Sequence, residues 1–121
     1  MDSKNKIMEI SALLGFQHKV DEDGVLTVEK PEYVFTMLER EEGIIEGNIM
    51  YKKRIPLSLM ADAAKRLAKI NFSCAVSGAF LERETGYYGM RHVCSSLEPA
   101  TNIAFCAYVL LKEAPKHLIN R

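Results

Sequence analysis

Apolar positions recur at helical spacing in three stretches of the chain and at alternate positions in most of what lies between. Ile7, Ile10 and Leu14 define a short amphipathic helix over Ser3–Leu14. Ser3 is suited to its N-cap and Gly15 to a left-handed C-terminal stop, after which Phe16 packs back. Asp21-Glu22-Asp23-Gly24 is a turn signal, and Val25–Val28 behind it reads as a strand that Lys30-Pro31 ends. Tyr33–Arg40 sets Tyr33, Phe35, Met37 and Glu39 on one parity and Val34, Thr36 and Leu38 on the other. Strong β formers make it a strand. Past the turn at Glu41-Glu42-Gly43, Ile44–Arg54 reads as a third strand. Ile45, Gly47, Ile49 and Tyr51 share one face, with Gly47 marking a bulge or bend.

The period then changes. Met60, Ala63, Ala64, Leu67 and Ile70 fall on one face of a helix that Pro56 is compatible with opening. Asn71 is suited to closing this helix in a left-handed conformation, with Phe72 beginning the next strand. Alternation over Phe72–Arg83, the turn Glu84-Thr85-Gly86 and the run Tyr87–Ser96 predict a long hairpin. Glu98-Pro99 opens a last helix to about Glu113. Ile103, Phe105, Cys106, Ala107, Val109, Leu110 and Leu111 make it apolar over most of its surface, and Pro115 ends or kinks it. The order is α-β-β-β-α-β-β-α. Runs of strands without strict β-α-β alternation predict an α+β domain: an antiparallel sheet of about five strands with helices packed on one face.

At 121 residues, 1–121 form a single domain, since halves of this chain would be too small to bury a core. Lys+Arg and Asp+Glu both number 16, so the formal net charge is zero, which gives no electrostatic reason to expect nucleic acid or an anionic membrane as partner. The longest apolar stretch, Ile103–Leu111, falls far short of the ~20 residues a membrane-spanning helix needs. Met1–Glu9 has no apolar core of a signal peptide, and a cytoplasmic location is expected.

Candidate chemistry is sparse. The three cysteines, Cys74, Cys94 and Cys106, have no C-x-x-C spacing and sit among apolar or small residues, as buried reduced thiols do. His92 and Cys94 share a strand face, and Cys74 on the preceding strand could join them. A small-ligand or metal site on this Cys74/His92/Cys94 face is one reading, and core packing is the other. The acidic turn at Asp21 lacks the later ligands of a calcium loop. Lys52-Lys53-Arg54 is too short for a nucleic-acid footprint and reads as a solvated strand edge. Glu39, Glu41, Glu42 and Glu46 read as hydrophilic hairpin ends. No constellation of base, nucleophile and orienting group is visible, so no catalytic residue and no cofactor are assigned.

Leu67-Ala68-Lys69-Ile70-Asn71-Phe72, then Ser77-Gly78-Ala79-Phe80-Leu81-Glu82, then Tyr87-Tyr88-Gly89-Met90-Arg91 resemble the YbjN-type family. Its domains share the fold of the small type III secretion chaperones. The resemblance implies a non-enzymatic module that binds another polypeptide, commonly as a homodimer. Surplus apolar surface points the same way. Leu57 and Met60 at the start of the middle helix, and Phe105 and Val109 on the last, are the expected protein-binding positions, with Met37, Met50, Met60 and Met90 as adaptable contacts. A small cytoplasmic immunity or antitoxin-type inhibitor is a second class consistent with this size. A ligand or metal binder using the His92/Cys94 face is a third.

Overall fold

The computed structural model describes residues 3–73 and 78–117. The elements are α1 (Ser3–Leu13), β1 (Lys19–Val20), β2 (Leu26–Glu29), β3 (Tyr33–Glu41), β4 (Ile44–Tyr51), α2 (Met60–Ser73), β5 (Gly78–Leu81), β6 (Tyr88–Ser95) and α3 (Ala100–Glu113). Single 3-10 turns lead into α2 and follow α3. The strands form one antiparallel sheet in the order β1-β2-β3-β4-β6-β5.

Alternation decides which face is buried. Leu26, Val28, Tyr33, Phe35, Met37, Ile45, Ile49, Tyr51, Tyr88 and Met90 point to one side and are almost wholly removed from water. Ile7 and Ile10 of α1, Ala63 and Leu67 of α2, and Ile103, Ala107, Leu110 and Leu111 of α3 complete the same core. Two buried tyrosines fasten the far end of α3 to the sheet. The Tyr33 hydroxyl donates to the Leu111 carbonyl at 3.1 Å, and the Tyr51 hydroxyl to the Ala114 carbonyl at 2.6 Å. Tyr51 also lies against the Tyr88 ring at 4.6 Å and edge-on to Tyr33 at 6.0 Å.

The turns follow their glycines. Gly24, Gly43 and Gly86 have φ of 79°, 86° and 80°, a region an L side chain rarely adopts. The acidic turn is self-contained: the Asp21 carboxylate accepts from the backbone of Asp23 at 2.9 Å and Val25 at 3.0 Å.

Several expectations are corrected. The sheet has six strands, because the short β1 pairs with β2 through Lys19–Thr27 and Val20–Leu26. Gly15 is not left-handed. Helix α2 runs through Asn71 and Phe72 to Ser73, so Asn71 does not close it and Phe72 does not open a strand. Of the strand expected over Phe72–Arg83, only Gly78–Leu81 is strand; Cys74–Ser77 lie outside the described residues. The bulge falls at Glu39/Glu41, not at Gly47. A Cβ on Gly47 would sit 3.2 Å from the Met37 side chain and 3.3 Å from the Phe35 ring, so its bareness makes room for two core side chains. Lys52–Arg54 follow β4, an inner strand, and do not line a sheet edge.

Candidate functional site

The buried stripe of α3 comprises Ile103, Ala104, Ala107, Leu110 and Leu111, which leaves Phe105 and Tyr108 on the outer side. Phe105 is 64% exposed and Val109 is half-buried. Tyr108 leans on Phe16 at 5.8 Å and is capped by the Lys112 ammonium at 5.5 Å, so its ring is partly shielded. At the entry to α2, Leu57 is 85% exposed and Leu59 is also exposed, while Met60 is half-buried against the core. The four expected binding positions therefore fall into two groups, Leu57/Met60 at the head of α2 and Phe105/Val109 along α3, and no extensive packing joins α2 to α3 among the described residues. Met37 and Met90 are buried and form part of the core, which removes them as adaptable surface contacts; Met50 remains exposed on the sheet.

A cleft of about 500 Å³ opens between β6 and α3. Its lining includes His92, Cys94, Glu98, Asn102, Phe105 and Cys106. Strand parity places His92 and Cys94 on one face, as expected; that face is the one the helices cover, and Cys106 of α3 lines the same cleft. Both thiols are reduced and half-buried, so the expected inaccessibility is only partial. Burial pushes the Cys94 thiol above its ordinary value, with further upward contributions from Cys106 and Glu98, against a smaller opposing one from Lys6. Burial followed by Glu98 acts likewise on Cys106. Thiols held protonated are poor nucleophiles and poor metal ligands at neutral pH. Cys74 lies outside the described residues, and among the described residues no group of three or more His, Cys, Asp or Glu side chains is placed to hold a metal ion.

The opposite face of the sheet carries a feature that strand alternation could have exposed and residue type concealed. Glu46 is not at a hairpin end. It stands between Leu38 and Val93 on the face away from the helices, with its side chain only 6% exposed. Arg91 Nε forms an ion pair with it at 2.8 Å and Arg40 Nη1 donates to it at 3.3 Å. Arg91 Nε also meets Asn48 Oδ1 at 3.0 Å, and its guanidinium lies 5.2 Å from the centre of the Phe80 ring. The signal available in sequence was parity: in a strand with Ile45, Ile49 and Tyr51 inward, Glu46 must face outward beside its cross-strand neighbours.

No protein family and no curated protein sequence matches the chain. Solved structures do. The type III secretion chaperone SycH of Yersinia pestis, crystallised with a stable fragment of YscM2, superposes with a TM-score of 0.66 at 15% identity, covering 97% of this chain and 100% of that one. YbjN of E. coli, described as a candidate transcription regulator, superposes at 0.68 with 13% identity, covering 96% of this chain and 85% of its own. Among the described residues no helix is long and apolar enough to cross a membrane. With its six-stranded antiparallel sheet and three helices, the chain thus has an α+β fold like that of YbjN and the type III secretion chaperone SycH.

Proposed function

We propose that this chain is a non-enzymatic protein-binding module, chaperone-like or regulatory, that acts in the cytoplasm as a homodimer. The observation that carries the reading is the exposure of large apolar side chains, Leu57 at 85% and Phe105 at 64%, on a chain with the SycH fold. Exposed aromatic and leucine side chains are the kind of contact that a partner covers at a protein–protein interface. SycH itself was crystallised with a polypeptide partner, which supports the same reading here.

The experiment is co-purification from the native cell with a tagged chain and two surface variants, Leu57→Asp and Phe105→Asp. Both positions are exposed, so the variants keep the fold. A defined protein retained by the unaltered chain and lost from one variant supports the proposal. Retention of nothing, or equal retention by all three, overturns it.

The cleft beside Cys94 and Cys106 gives small-ligand binding a foothold as a second reading, since its volume falls in the range of small-molecule sites. Its protonated thiols favour a neutral apolar ligand over a metal ion.

A further inference from the structure

The cleft between β6 and α3 combines apolar walls with one carboxylate that has acceptor capacity to spare. Phe105 lines it beside Ile103, and the reduced thiols of Cys94 and Cys106 add two more uncharged surfaces. Glu98 lines it as well. Its Oε2 accepts one long hydrogen bond, from Asn102 Nδ2 at 3.4 Å, and it forms no ion pair among the described residues. A carboxylate offers about four lone-pair sites, so most of that capacity is left for water or a ligand.

The charges around the cleft come close to cancelling. Among the described residues, Glu98 is the one acidic side chain of the lining, and no lysine or arginine belongs to it. Two positive sources stand just outside. Lys6 of α1 is only 7% exposed, and its charge acts on Cys94 against that of Glu98. Helix α3 starts at Ala100 behind Pro99, which supplies no side-chain cap, so about half an elementary positive charge sits two residues from Glu98. The β3–β4 turn is adjacent, since the Gly43 carbonyl accepts from Ser96 N at 2.8 Å, but its Glu41 and Glu42 are exposed and screened by water and salt. A ligand with a full charge is disfavoured in either sign: an anion by Glu98, a cation by Lys6 and the helix terminus.

We infer that this cleft binds a small neutral aromatic molecule bearing an N–H or O–H donor, of the indole or phenol class. The donor meets Glu98, and hydrogen bonds to a charged acceptor are the stronger kind. The ring lies against Phe105, where stacked or edge-on aromatic contacts add to the burial of area, and the polarizable sulfurs of Cys94 and Cys106 pack beside it. The volume of about 500 Å³ suits a molecule of one or two rings. The inference rests on the reading of this cleft as a small-ligand site and is independent of protein binding at Leu57.

The test is an amide chemical-shift titration of the full chain with indole, 1-methylindole, indole-3-acetate, tryptamine and the peptide Gly-Gly-Trp-Gly-Gly. Indole is expected to shift the amides of Cys94, Ser95, Asn102 and Cys106. It should bind about tenfold more tightly than 1-methylindole, which lacks the donor, and at least as tightly as the two charged analogues. Glu98 is exposed, so Glu98→Ala leaves the core intact; in this variant indole and 1-methylindole should bind alike. A preference for indole that survives in Glu98→Ala, tighter binding of either charged analogue, or shifts elsewhere in the chain overturns the inference. Tighter binding of the peptide than of indole assigns the cleft to a partner's side chain and overturns it too. Equal binding of indole and 1-methylindole at these amides of the unaltered chain removes the donor-bearing class but leaves the cleft a small-ligand site. Binding of no probe removes both.

Discussion

Tyr51 is the side chain on which the seating of α3 most directly depends, and it can be perturbed in two steps. Tyr51→Phe removes only the hydroxyl, leaving the ring against Tyr88 and stranding the Ala114 carbonyl that it serves at 2.6 Å. A buried hydrogen bond whose partner is left unpaired costs about 1–2 kcal/mol. Tyr51→Ala also empties the space of a ring that is 1% exposed, and aromatic-to-alanine changes in cores cost roughly 3–5 kcal/mol. For 121 residues the unfolding entropy is about 0.25 kcal/mol/K, so each kcal/mol lowers Tm by about 4 °C. Calorimetry should therefore show a fall of about 4–8 °C for Tyr51→Phe and about 12–20 °C for Tyr51→Ala. A fall below about 1 °C for the phenylalanine variant, or equal falls for the two, would refute the argument. The same burial makes a pH prediction. It pushes the Tyr51 hydroxyl far above its ordinary value, with Tyr88 and Tyr33 adding to the shift, and raises Tyr33 as well. A folded-state pKa raised above the unfolded one contributes stability that is complete below the unfolded value of about 10 and is lost as pH climbs beyond it. The native protein should unfold more readily above that pH, and Tyr51→Phe should show a shallower alkaline loss.

Three further outcomes are expected. Gly89→Ala would drive a methyl group into the Ile49 carbonyl on the neighbouring strand and against the Phe80 ring, so β4 and β6 must part locally; chemical denaturation should show a loss on the order of 3 kcal/mol, and a loss under about 1 kcal/mol would contradict the packing. Glu46→Gln removes the charge that reconciles Arg40 and Arg91, and because both guanidiniums are about half exposed the loss should be held to about 1–2 kcal/mol, reduced further by salt; no change in the denaturation midpoint would count against the network. Cys94 and Cys106, held protonated, should alkylate more slowly than a free thiol at neutral pH and accelerate only at a pH above the ordinary thiol range; labelling as fast as that of a small-molecule thiol would contradict their burial.

The parts of this fold that could be read in the sequence are those where one face is wet and the other dry. Tyr33, Phe35 and Met37, then Ile45, Ile49 and Tyr51, alternate because a sheet covered on one side demands it, and all are buried. The head of α2 was legible through Ala63 and Leu67, but its end was not. Phe72 and Ser73 begin an alternating stretch, yet they continue an established helix, where adding one more residue costs less than starting a new strand. Two-residue β1 carries too little pattern to be seen and exists through its pairing with β2. At the surface, the exposure of Leu57 and Phe105 was legible from an apolar surplus that one sheet cannot cover, whereas Met37 and Met90 were misassigned because methionine is as common in cores as at adaptable surfaces. Glu46 was hidden by its company: three other glutamates nearby made it look like part of a solvated turn, and only the cross-strand register puts it beneath two arginines.

The central claim is that the apolar side chains this fold leaves in water serve association, and the direct measurement is sedimentation equilibrium through the micromolar range on the unaltered chain, Leu57→Asp and Phe105→Asp. The account predicts twice the 13.7 kDa protomer mass for the unaltered chain and a shift towards the protomer mass in at least one variant. A mass of 13.7 kDa for all three at every concentration would contradict it.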